Sequence, residues 1–156
     1  MNKKWMAAAF LAVCLSGGAS AMDSATLLKD PKAYPVIYAT EAERVYVDMK
    51  TLQAMQTMDL PGSLENMSFT MYVETYKEDA DAFDFARGKL VTRILEYAVD
   101  LSADRMEKHY EMTKHLRAVY DVKGKNLGKD ALKEETEIAA DAKNLYYNLA
   151  RLPRVY

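Results

Sequence analysis

The stretch MSFTMYVETY, residues 67–76, gives the clearest indication of the fold of this 156-residue chain. Its side chains alternate between two parities. One parity holds Phe69, Met71, Val73 and Thr75, and the other holds Ser68, Thr70, Tyr72, Glu74 and Tyr76. Because successive side chains of a strand point to opposite faces of a sheet, this alternation predicts a half-buried β-strand.

The residues before this stretch predict further elements. Residues 36–39 and 44–48 are rich in branched and aromatic side chains and are joined by a short polar turn, a pattern typical of a β-hairpin. Residues 49–58 have weak helical spacing and predict one or two helical turns. Residues 60–63, Leu-Pro-Gly-Ser, predict a turn, and residues 77–84 an exposed acidic loop.

The second half of the chain predicts more strands. Residues 89–100 fit both a helix stripe and a strand face, and their branched and aromatic content favours the strand. Residues 102–104 predict a turn. Residues 106–121 alternate over a long span, which predicts one long strand or two strands with a bend. Residues 124–128 contain two glycines and predict a turn.

An amphipathic helix is predicted at the end of the chain. Apolar residues recur there at helical spacing, interrupted once by Glu135: Ala131, Ile138, Ala142, Leu145 and Leu149. Asp130 is the expected N-cap, and Pro153 ends the pattern. Since an apolar stripe must be buried, we expect this helix to pack on the sheet.

Together these elements predict an α+β fold, in which an antiparallel β-sheet of about four to six strands is packed by a C-terminal α-helix. The expected organisation is a signal peptide over residues 1–21, a polar flexible arm over residues 22–33 and a single α+β domain over residues 34–156. Asp30-Pro31 interrupts the arm.

The first residues are typical of a secretory signal peptide. Lys3 and Lys4 precede an apolar run over residues 5–15, and Ala19-Ser20-Ala21 fits the small-x-small cleavage rule, so the mature chain is expected to begin at Met22. The run is shorter than the about 20 residues that cross a bilayer. The predicted location is the periplasm or the cell surface. The alternative is a lipoprotein anchored through Cys14, although Val13 stands where a lipobox has a small residue.

The composition excludes several functional classes. Without Lys3 and Lys4 the chain has 19 basic and 23 acidic residues, a net charge of −4, which argues against binding to nucleic acid. No transmembrane span is expected in the mature chain. Cys14 is the only cysteine, so the mature chain has no disulfide, thiol nucleophile or thiolate ligand.

No motif predicts catalysis, a metal site or a cofactor site. His109 and His115 would lie about 20 Å apart on a strand, too far to bind one ion, and we interpret them as part of a charged solvent face. The acidic loop lacks the EF-hand spacing, and the glycines of residues 124–128 lack that of a phosphate-binding loop. We therefore expect a protein that is not an enzyme.

Four tyrosines are candidate interface residues: Tyr72, Tyr76, Tyr146 and Tyr147. The first two have the polar parity of their strand, and the last two are neighbours on the predicted helix, so that one of them must face away from the core. Tyrosine is enriched in protein interfaces, which suggests a partner protein or a homodimer.

The order of the predicted elements resembles the bacterial surface-adhesin protein E family over roughly residues 35–150. Short motifs carry the resemblance: Val45-Tyr46-Val47-Asp48, Lys50-Thr51-Leu52 and Tyr120-Asp121-Val122-Lys123-Gly124. It implies an antiparallel sheet backed by a C-terminal helix, at the cell surface or in the periplasm, with a strand over residues 89–99. The chain lacks the cysteine pair that family members often carry, and Tyr34 stands where a tryptophan often opens the first strand.

The expected function is that of an exported, non-enzymatic binding or interaction domain of the bacterial envelope or cell surface, adhesin-like in type. The alternative is a small periplasmic ligand-binding domain with a pocket between helix and sheet, which would be an enclosed cavity of several hundred Å³. The partner is an unidentified protein or small ligand of the envelope.

Overall fold

The computed structural model describes residues 21–56, 64–76, 83–84, 89–128 and 140–152. These residues form two helices, α1 (Ser24–Lys29) and α2 (Ala142–Ala150). They also form seven strands: β1 (Val36–Ala39), β2 (Glu43–Val47), β3 (Gln53–Gln56), β4 (Leu64–Tyr76), β5 (Phe83–Asp84), β6 (Lys89–Asp104) and β7 (His109–Tyr120). Neither described helix has the length and hydrophobicity that crossing a bilayer requires.

All strand pairs of the sheet are antiparallel. β4 pairs with β6 over its whole length, from Leu64 opposite Asp104 to Tyr76 opposite Val91. β2 and β3 lie end to end along the other edge of β4, β1 lies outside β2, and β7 pairs with β6. The two-residue β5 adds a seventh, minimal strand beside the start of β6. The predicted α+β fold, an antiparallel sheet packed by a C-terminal helix, is confirmed.

The main hydrophobic core lies between α2 and the face of the sheet that we call the first face. This face carries the odd-numbered residues of β4, among them Met67, Phe69, Met71 and Val73, all of them buried. Leu145, Tyr146 and Leu149 of α2 complete the core, since their spacing of one and three residues places them on one side of the helix.

A second, smaller core lies on the opposite face, which we call the second face. Tyr46, Tyr72 and Ile94 of the sheet pack there against Met22 and Leu27 of the N-terminal segment. The expectation that β4 is only half buried is therefore wrong for its C-terminal half. The even-numbered side chains of Tyr72 and Glu74 are buried as well, because α1 covers this part of the sheet.

Residues 22–33 were expected to form a flexible arm, but Ser24–Lys29 form α1 instead. The Asp23 carboxylate caps the helix by accepting from the Thr26 amide at 2.6 Å, and Leu27 is 1% exposed. The Ser24 amide donates to the Val122 carbonyl at 3.3 Å. The few apolar residues of this short segment stand among polar ones, so the sequence shows no helical periodicity from which α1 could be predicted.

The loop after β7 also contacts this segment. Gly124 has a φ of 86°, and a Cβ at this position would lie 3.3 Å from the Asp23 Cβ. Glycine suits this position because it adopts a positive φ without strain and has no Cβ that would crowd Asp23. The turn predicted over residues 124–128 lies earlier, at residues 121–125, where the Asp121 side chain accepts from the Lys123 and Lys125 amides at 2.9 Å, and Asn126 pairs with Tyr120 in a β-bridge.

Two local predictions are wrong. The helical turns expected over residues 49–58 are replaced by a turn at residues 49–51 and by β3. The reason lies in the pairing of the sheet. β2 pairs with β4 only at residues 71–75, so the backbone groups of residues 65–68 on the same edge remain available to pair with β3. Residues 102–104 belong to β6, and the turn lies at residues 105–108, where Lys108 has a φ of 55°.

The strand predictions for β6 and β7 are confirmed: β7 is one long strand, the first of the two alternatives, and a bulge interrupts its ladder with β6. Ala118 lies opposite Glu96 and Leu116 opposite Tyr97, so Arg117 is an extra residue in the ladder. Such a bulge reverses the side-chain parity. As a result Val119 faces the first core, whereas Ala118 and Tyr120 face the second.

The described C-terminal helix starts later than predicted. Asp141 has extended backbone angles, and its carboxylate accepts from the Asn144 amide at 2.7 Å, so it is the N-cap of α2. One continuous helix from Asp130 to Leu152 is therefore wrong. The predicted N-cap Asp130, the turn at residues 60–63 and the acidic residues 77–82 lie outside the described residues.

We predict that Leu145→Ala lowers the free energy of unfolding by about 2–5 kcal/mol, because Leu145 is fully buried between α2 and the sheet. Denaturant unfolding measures the change. The exposed neighbour Lys143→Ala is the matched control and should change the stability by less than about 0.5 kcal/mol. Equal small losses in both variants would contradict the packing described here.

Candidate functional site

Among the residues that the structure describes, the second face of the sheet is covered over one half only. α1 packs on the half around Tyr72, whereas the other half carries small polar side chains in cross-strand rows. One row consists of Gln53, Ser68, Asp100 and Thr113. The next consists of Met55, Asn66, Ser102 and Glu111. Residues paired across a sheet share a face, so both rows lie on the same side.

Two adjoining cavities occupy this open half, and we call them together the open groove. The first, of about 330 Å³, is lined by Met55, Asn66, Met67, Ser68, Asp100, Leu101, Ser102, Glu111 and Thr113. The second, of about 270 Å³, is lined by Thr51, Gln53, Ser68, Phe69, Thr70, Ala98, Val99, Asp100 and Arg117. Ser68 and Asp100 line both cavities, so they lie at the centre of the groove.

The central pair of the groove is joined by a short hydrogen bond. The Ser68 hydroxyl donates to Asp100 Oδ1 at 2.6 Å, a distance typical of a charge-assisted bond to a carboxylate. Ser68 and Asp100 also lie directly opposite each other in the long β4–β6 ladder. Backbone pairing and side-chain bonding therefore hold the Asp100 carboxylate in place among lining residues that carry hydroxyl and amide groups.

The charges of the two cavities differ. The lining of the first includes two carboxylates, Asp100 and Glu111, and no basic side chain. Met55 supplies an apolar side chain beside them, whereas the side chains of Met67 and Leu101 are buried in the first core. The second cavity adds Arg117, which the bulge in β7 displaces from the regular alternation. A ligand group with hydrogen-bond donors or positive charge would suit the first cavity, because ionised carboxylates only accept hydrogen bonds.

Buried carboxylates attach both helices to β4. Glu74, fully buried on the second face, accepts from the Ser24 hydroxyl of α1 at 3.0 Å and from the Tyr76 hydroxyl at 2.9 Å. Glu65, 3% exposed on the first face, accepts from the Tyr146 hydroxyl of α2 at 3.0 Å. A buried carboxylate is tolerated only when hydrogen bonds compensate for its lost hydration. Each bond thus ties a helix position to a strand position.

Three tyrosines meet where α2 packs beside β7, and we call them the tyrosine cluster: Tyr110, Tyr146 and Tyr147. The hydroxyls of Tyr110 and Tyr147 are 2.9 Å apart. The ring centroid of Tyr110 lies 5.5 Å from that of Tyr146 and 5.8 Å from that of Tyr147, and the last two are 5.5 Å apart. These separations lie in the range in which aromatic rings attract each other.

The tyrosine hydroxyls hold their protons tightly. The hydrogen bond to Tyr147, together with desolvation, raises the pKa of Tyr110 to about 12. Burial and then the hydrogen bond to Glu65 raise the pKa of Tyr146. On the second face, burial and then the hydrogen bond to Glu96 raise the pKa of Tyr120 to about 12. All of these groups are therefore neutral donors near neutral pH.

The four tyrosines predicted as interface residues lie in two places. Tyr146 and Tyr147 belong to the tyrosine cluster, where Tyr146 is 3% exposed and Tyr147 is 44% exposed. Tyr72 is 6% exposed and contacts the Tyr34 ring with a centroid distance of 6.1 Å, while Tyr76 is half-buried beside Glu74. Of the four, Tyr147 presents the largest exposed ring, and the interface role stays a prediction.

The histidines lie on exposed positions of β7. His109 Nε2 is 2.8 Å from Glu111 Oε1, and the two side chains are 66% and 71% exposed. His115 is also exposed. Within the ranges that the structure describes, no three His, Cys, Asp or Glu side chains gather in a way that could hold a metal ion.

The groove residues were not singled out from the sequence. Ser68 and Asp100 are 32 positions apart, and only the register of β4 against β6 makes them partners. The available signal was the polar parity of Ser68 and Thr70 in β4. Without the pairing register that signal could not be joined to Asp100 or to Thr113.

Known proteins add no functional information: no family model matches the sequence, no curated protein matches it, and no solved structure matches the fold. The resemblance to the surface-adhesin protein E family accordingly stays a prediction. The open groove and the tyrosine cluster are the features from which a function can be inferred.

We predict that the free energy of unfolding falls as the pH rises from about 10 to about 12. An unfolded tyrosine ionises near pH 10, whereas Tyr110 and Tyr120 in the folded protein have a pKa of about 12. Between these values the unfolded chain releases protons that the folded chain keeps, so the stability that is fully present below about pH 10 is lost.

Denaturant unfolding at several pH values in this window measures the effect. Tyr120→Phe and Tyr110→Phe retain the rings without the ionisable groups, and each should make the fall with pH shallower. A free energy of unfolding that stays constant across the window would contradict the raised pKa values.

Proposed function

We propose that this protein is an exported, non-enzymatic binding domain of the bacterial envelope, and that it binds a small polar ligand in the open groove. The observation that carries the proposal is the pair of adjoining cavities that share Ser68 and Asp100. Binding sites are typically concave, with a few polar groups held in fixed positions. The groove meets that description on a sheet face that α1 leaves open.

The lining indicates the chemistry of the ligand. Asp100 and Glu111 lie on neighbouring strands in diagonal positions, since Thr113 is opposite Asp100 and Glu111 is two residues away. Diagonal neighbours have Cβ atoms about 7–8 Å apart, so one ammonium group or two linked ones can approach both carboxylates. The Met55 side chain would contact the methylene groups between them. A short alkyl diamine therefore fits the first cavity.

The scaffold favours a preformed site. The groove lies on four strands, β3, β4, β6 and β7, and β4 pairs with β6 without irregularity from Leu64 to Thr75. Sites on strands are held more rigidly than sites on loops. Both described cavities lie on the face opposite α2, whereas a pocket between helix and sheet was the expected alternative. The proposed site therefore belongs to the ligand-binding class but lies on the other side of the sheet.

A second candidate is an adhesin-like protein interaction surface at the tyrosine cluster. Tyr147 is 44% exposed there, and its neighbour Tyr110 is half-buried. Arg105 lies close enough to influence the pKa of both Tyr110 and Tyr146. Tyrosine and arginine are enriched among residues that dominate binding energies. This surface would suit a protein partner rather than a small ligand.

Export is supported by the sequence pattern of residues 1–21. The structure is compatible with cleavage before Met22. The Met22 side chain is 3% exposed in the second core, and Asp23 caps α1, so residues that stabilise the fold begin directly after the proposed cleavage position. A cleaved chain would retain all of these contacts.

We predict that putrescine binds in the groove and that Asp100→Asn weakens its binding at least about tenfold, because an ammonium–carboxylate hydrogen bond is lost. Titration of isotope-labelled protein, followed by backbone amide chemical shifts, measures the affinity and shows where the ligand binds. Asparagine at position 100 can still accept from Ser68, so the groove should keep its shape.

Glu107→Gln is the matched control, since it removes the same charge from an exposed turn residue outside the cavity linings and should leave the affinity unchanged. Shifts confined to the groove strands would support the proposal. Equal weakening in both variants, or the absence of saturable shifts, would contradict it. Shifts around Tyr110 and Tyr147 would favour the second candidate instead.

We also predict that expression of the full chain in a Gram-negative bacterium yields a processed protein that begins at Met22. The intact mass of the periplasmic fraction measures this directly. A lipid-modified protein that begins at Cys14 and is recovered from the membrane fraction would show the lipoprotein alternative, and an unprocessed chain in the cytoplasm would contradict export. Ala21→Pro, which blocks a small-x-small cleavage site, is a suitable control and should retain the leader.

A further inference from the structure

We propose that Tyr110 and Tyr147 form an oxidative cross-linking site, at which an intramolecular dityrosine bond covalently fastens α2 to β7. The inference does not depend on the proposed ligand. It rests on the geometry of one tyrosine pair and on a comparison with other tyrosines that the structure describes.

The two phenol groups already contact each other. Their hydroxyl oxygens are 2.9 Å apart, their ring centroids are 5.8 Å apart and the ring planes are inclined by 47°. Tyr147 lies on α2 and Tyr110 on β7, 37 positions apart in the sequence. Because the carbon next to the hydroxyl-bearing carbon is the one that couples, touching hydroxyls bring the reacting carbons near each other. A small rotation of the two rings would complete the approach.

The two rings differ in accessibility, and both retain some exposure to solvent. Tyr147 is 44% exposed, so an external one-electron oxidant can reach it. Tyr110 is half-buried beneath it and so is less open to solvent quenchers. The hydrogen bond that raises the pKa of Tyr110 also holds the two groups together before any oxidation takes place.

The reaction balances with hydrogen peroxide as the oxidant and a haem peroxidase as the catalyst. Each tyrosine loses one electron and one hydroxyl proton and becomes a phenoxyl radical. The two radicals form one carbon–carbon bond between their ortho carbons, and the ortho hydrogens then move to the oxygens and restore both phenols. One peroxide molecule accepts the two electrons and two protons and becomes two water molecules.

Neighbouring tyrosines are less suited to the reaction. Tyr146 lies 5.5 Å from Tyr110, but it is 3% exposed and its hydroxyl donates to Glu65. Tyr34 and Tyr72 form a further ring pair at 6.1 Å, but their planes are inclined by 74° and Tyr72 is 6% exposed. The Tyr110–Tyr147 pair combines a hydroxyl–hydroxyl contact with an exposed ring.

The bond would stabilise a part of the fold that no disulfide can reinforce. The sequence has one cysteine, Cys14, so residues 1–156 cannot form an internal disulfide. α2 is a nine-residue helix, too short to be stable on its own, and it depends on its packing against the sheet. A covalent bond from Tyr147 to Tyr110 would close a loop in the unfolded chain, which is how cross-links stabilise proteins.

Treatment of dilute purified protein with horseradish peroxidase and one equivalent of hydrogen peroxide tests the proposal. We expect dityrosine fluorescence in the monomer, a digest peptide that joins Tyr110 to Tyr147 with the loss of two hydrogen atoms, and a higher denaturant midpoint than in untreated protein. Tyr147→Phe and Tyr110→Phe keep the rings but cannot form phenoxyl radicals, so both should lose the fluorescence and the gain in midpoint.

Tyr34→Phe is the matched control, since it removes a hydroxyl from the other ring pair and should leave the cross-link unchanged. The proposal is overturned if the joined peptide contains other tyrosines, if the product forms only between two copies, or if Tyr147→Phe keeps the monomer fluorescence. Because the phenylalanine variants can be checked for the folded state before treatment, a folding defect cannot be mistaken for a loss of the cross-linking site.

Discussion

The antiparallel ladder between β4 and β6 is the interaction on which the rest of the structure depends. The thirteen residues of β4 are all paired with β6, and the strands that flank them attach to this pair from either side. Backbone hydrogen bonds along such a ladder fix which side chains share a face. The ladder thus decides at once that Met67 and Val73 face α2 and that Ser68 and Tyr72 face the opposite side.

Both helices are held to this ladder by the same kind of contact. Glu65 and Glu74 lie near opposite ends of β4 and on opposite faces, and each accepts a hydroxyl hydrogen bond from one helix. Burial of a carboxylate without such a bond would be strongly unfavourable. The two glutamates therefore favour the arrangement in which Tyr146 and Ser24 are both docked, beyond what apolar packing alone would specify.

The two helices cover unequal parts of the two sheet faces, and this difference determines which surface is available for binding. α2, together with the apolar residues of the first face, closes a continuous core. α1 has six residues and covers only the half of the second face around Tyr72 and Glu74. The remaining half is left with Ser68, Asp100 and their polar neighbours on a rigid support. This division is the structural basis of the proposed groove.

The strands could be predicted in large part because alternation is a local property. Residues 36–39, 67–76 and 89–100 carry branched, aromatic and alternating side chains, and all of them are strands in the structure. The predictions that failed depended on partners distant in sequence. Residues 49–58 contain β3 because an edge of β4 is available for pairing. Residues 24–29 form a helix whose Leu27 side chain packs against Tyr46 and Tyr72.

The sequence by itself determined the α+β class, the polar and apolar parities of β4 and the amphipathic character of α2, because periods of two and of 3.6 residues are written into neighbouring positions. Only the tertiary structure decided that Asp100 lies beside Ser68, that Tyr147 touches Tyr110 and that α1 leaves half of the second face open. Each of these features depends on strand register or on helix docking. The Ser68–Asp100 contact joins residues 32 positions apart, and the Tyr110–Tyr147 contact joins residues 37 positions apart, so neither leaves a local pattern in the sequence.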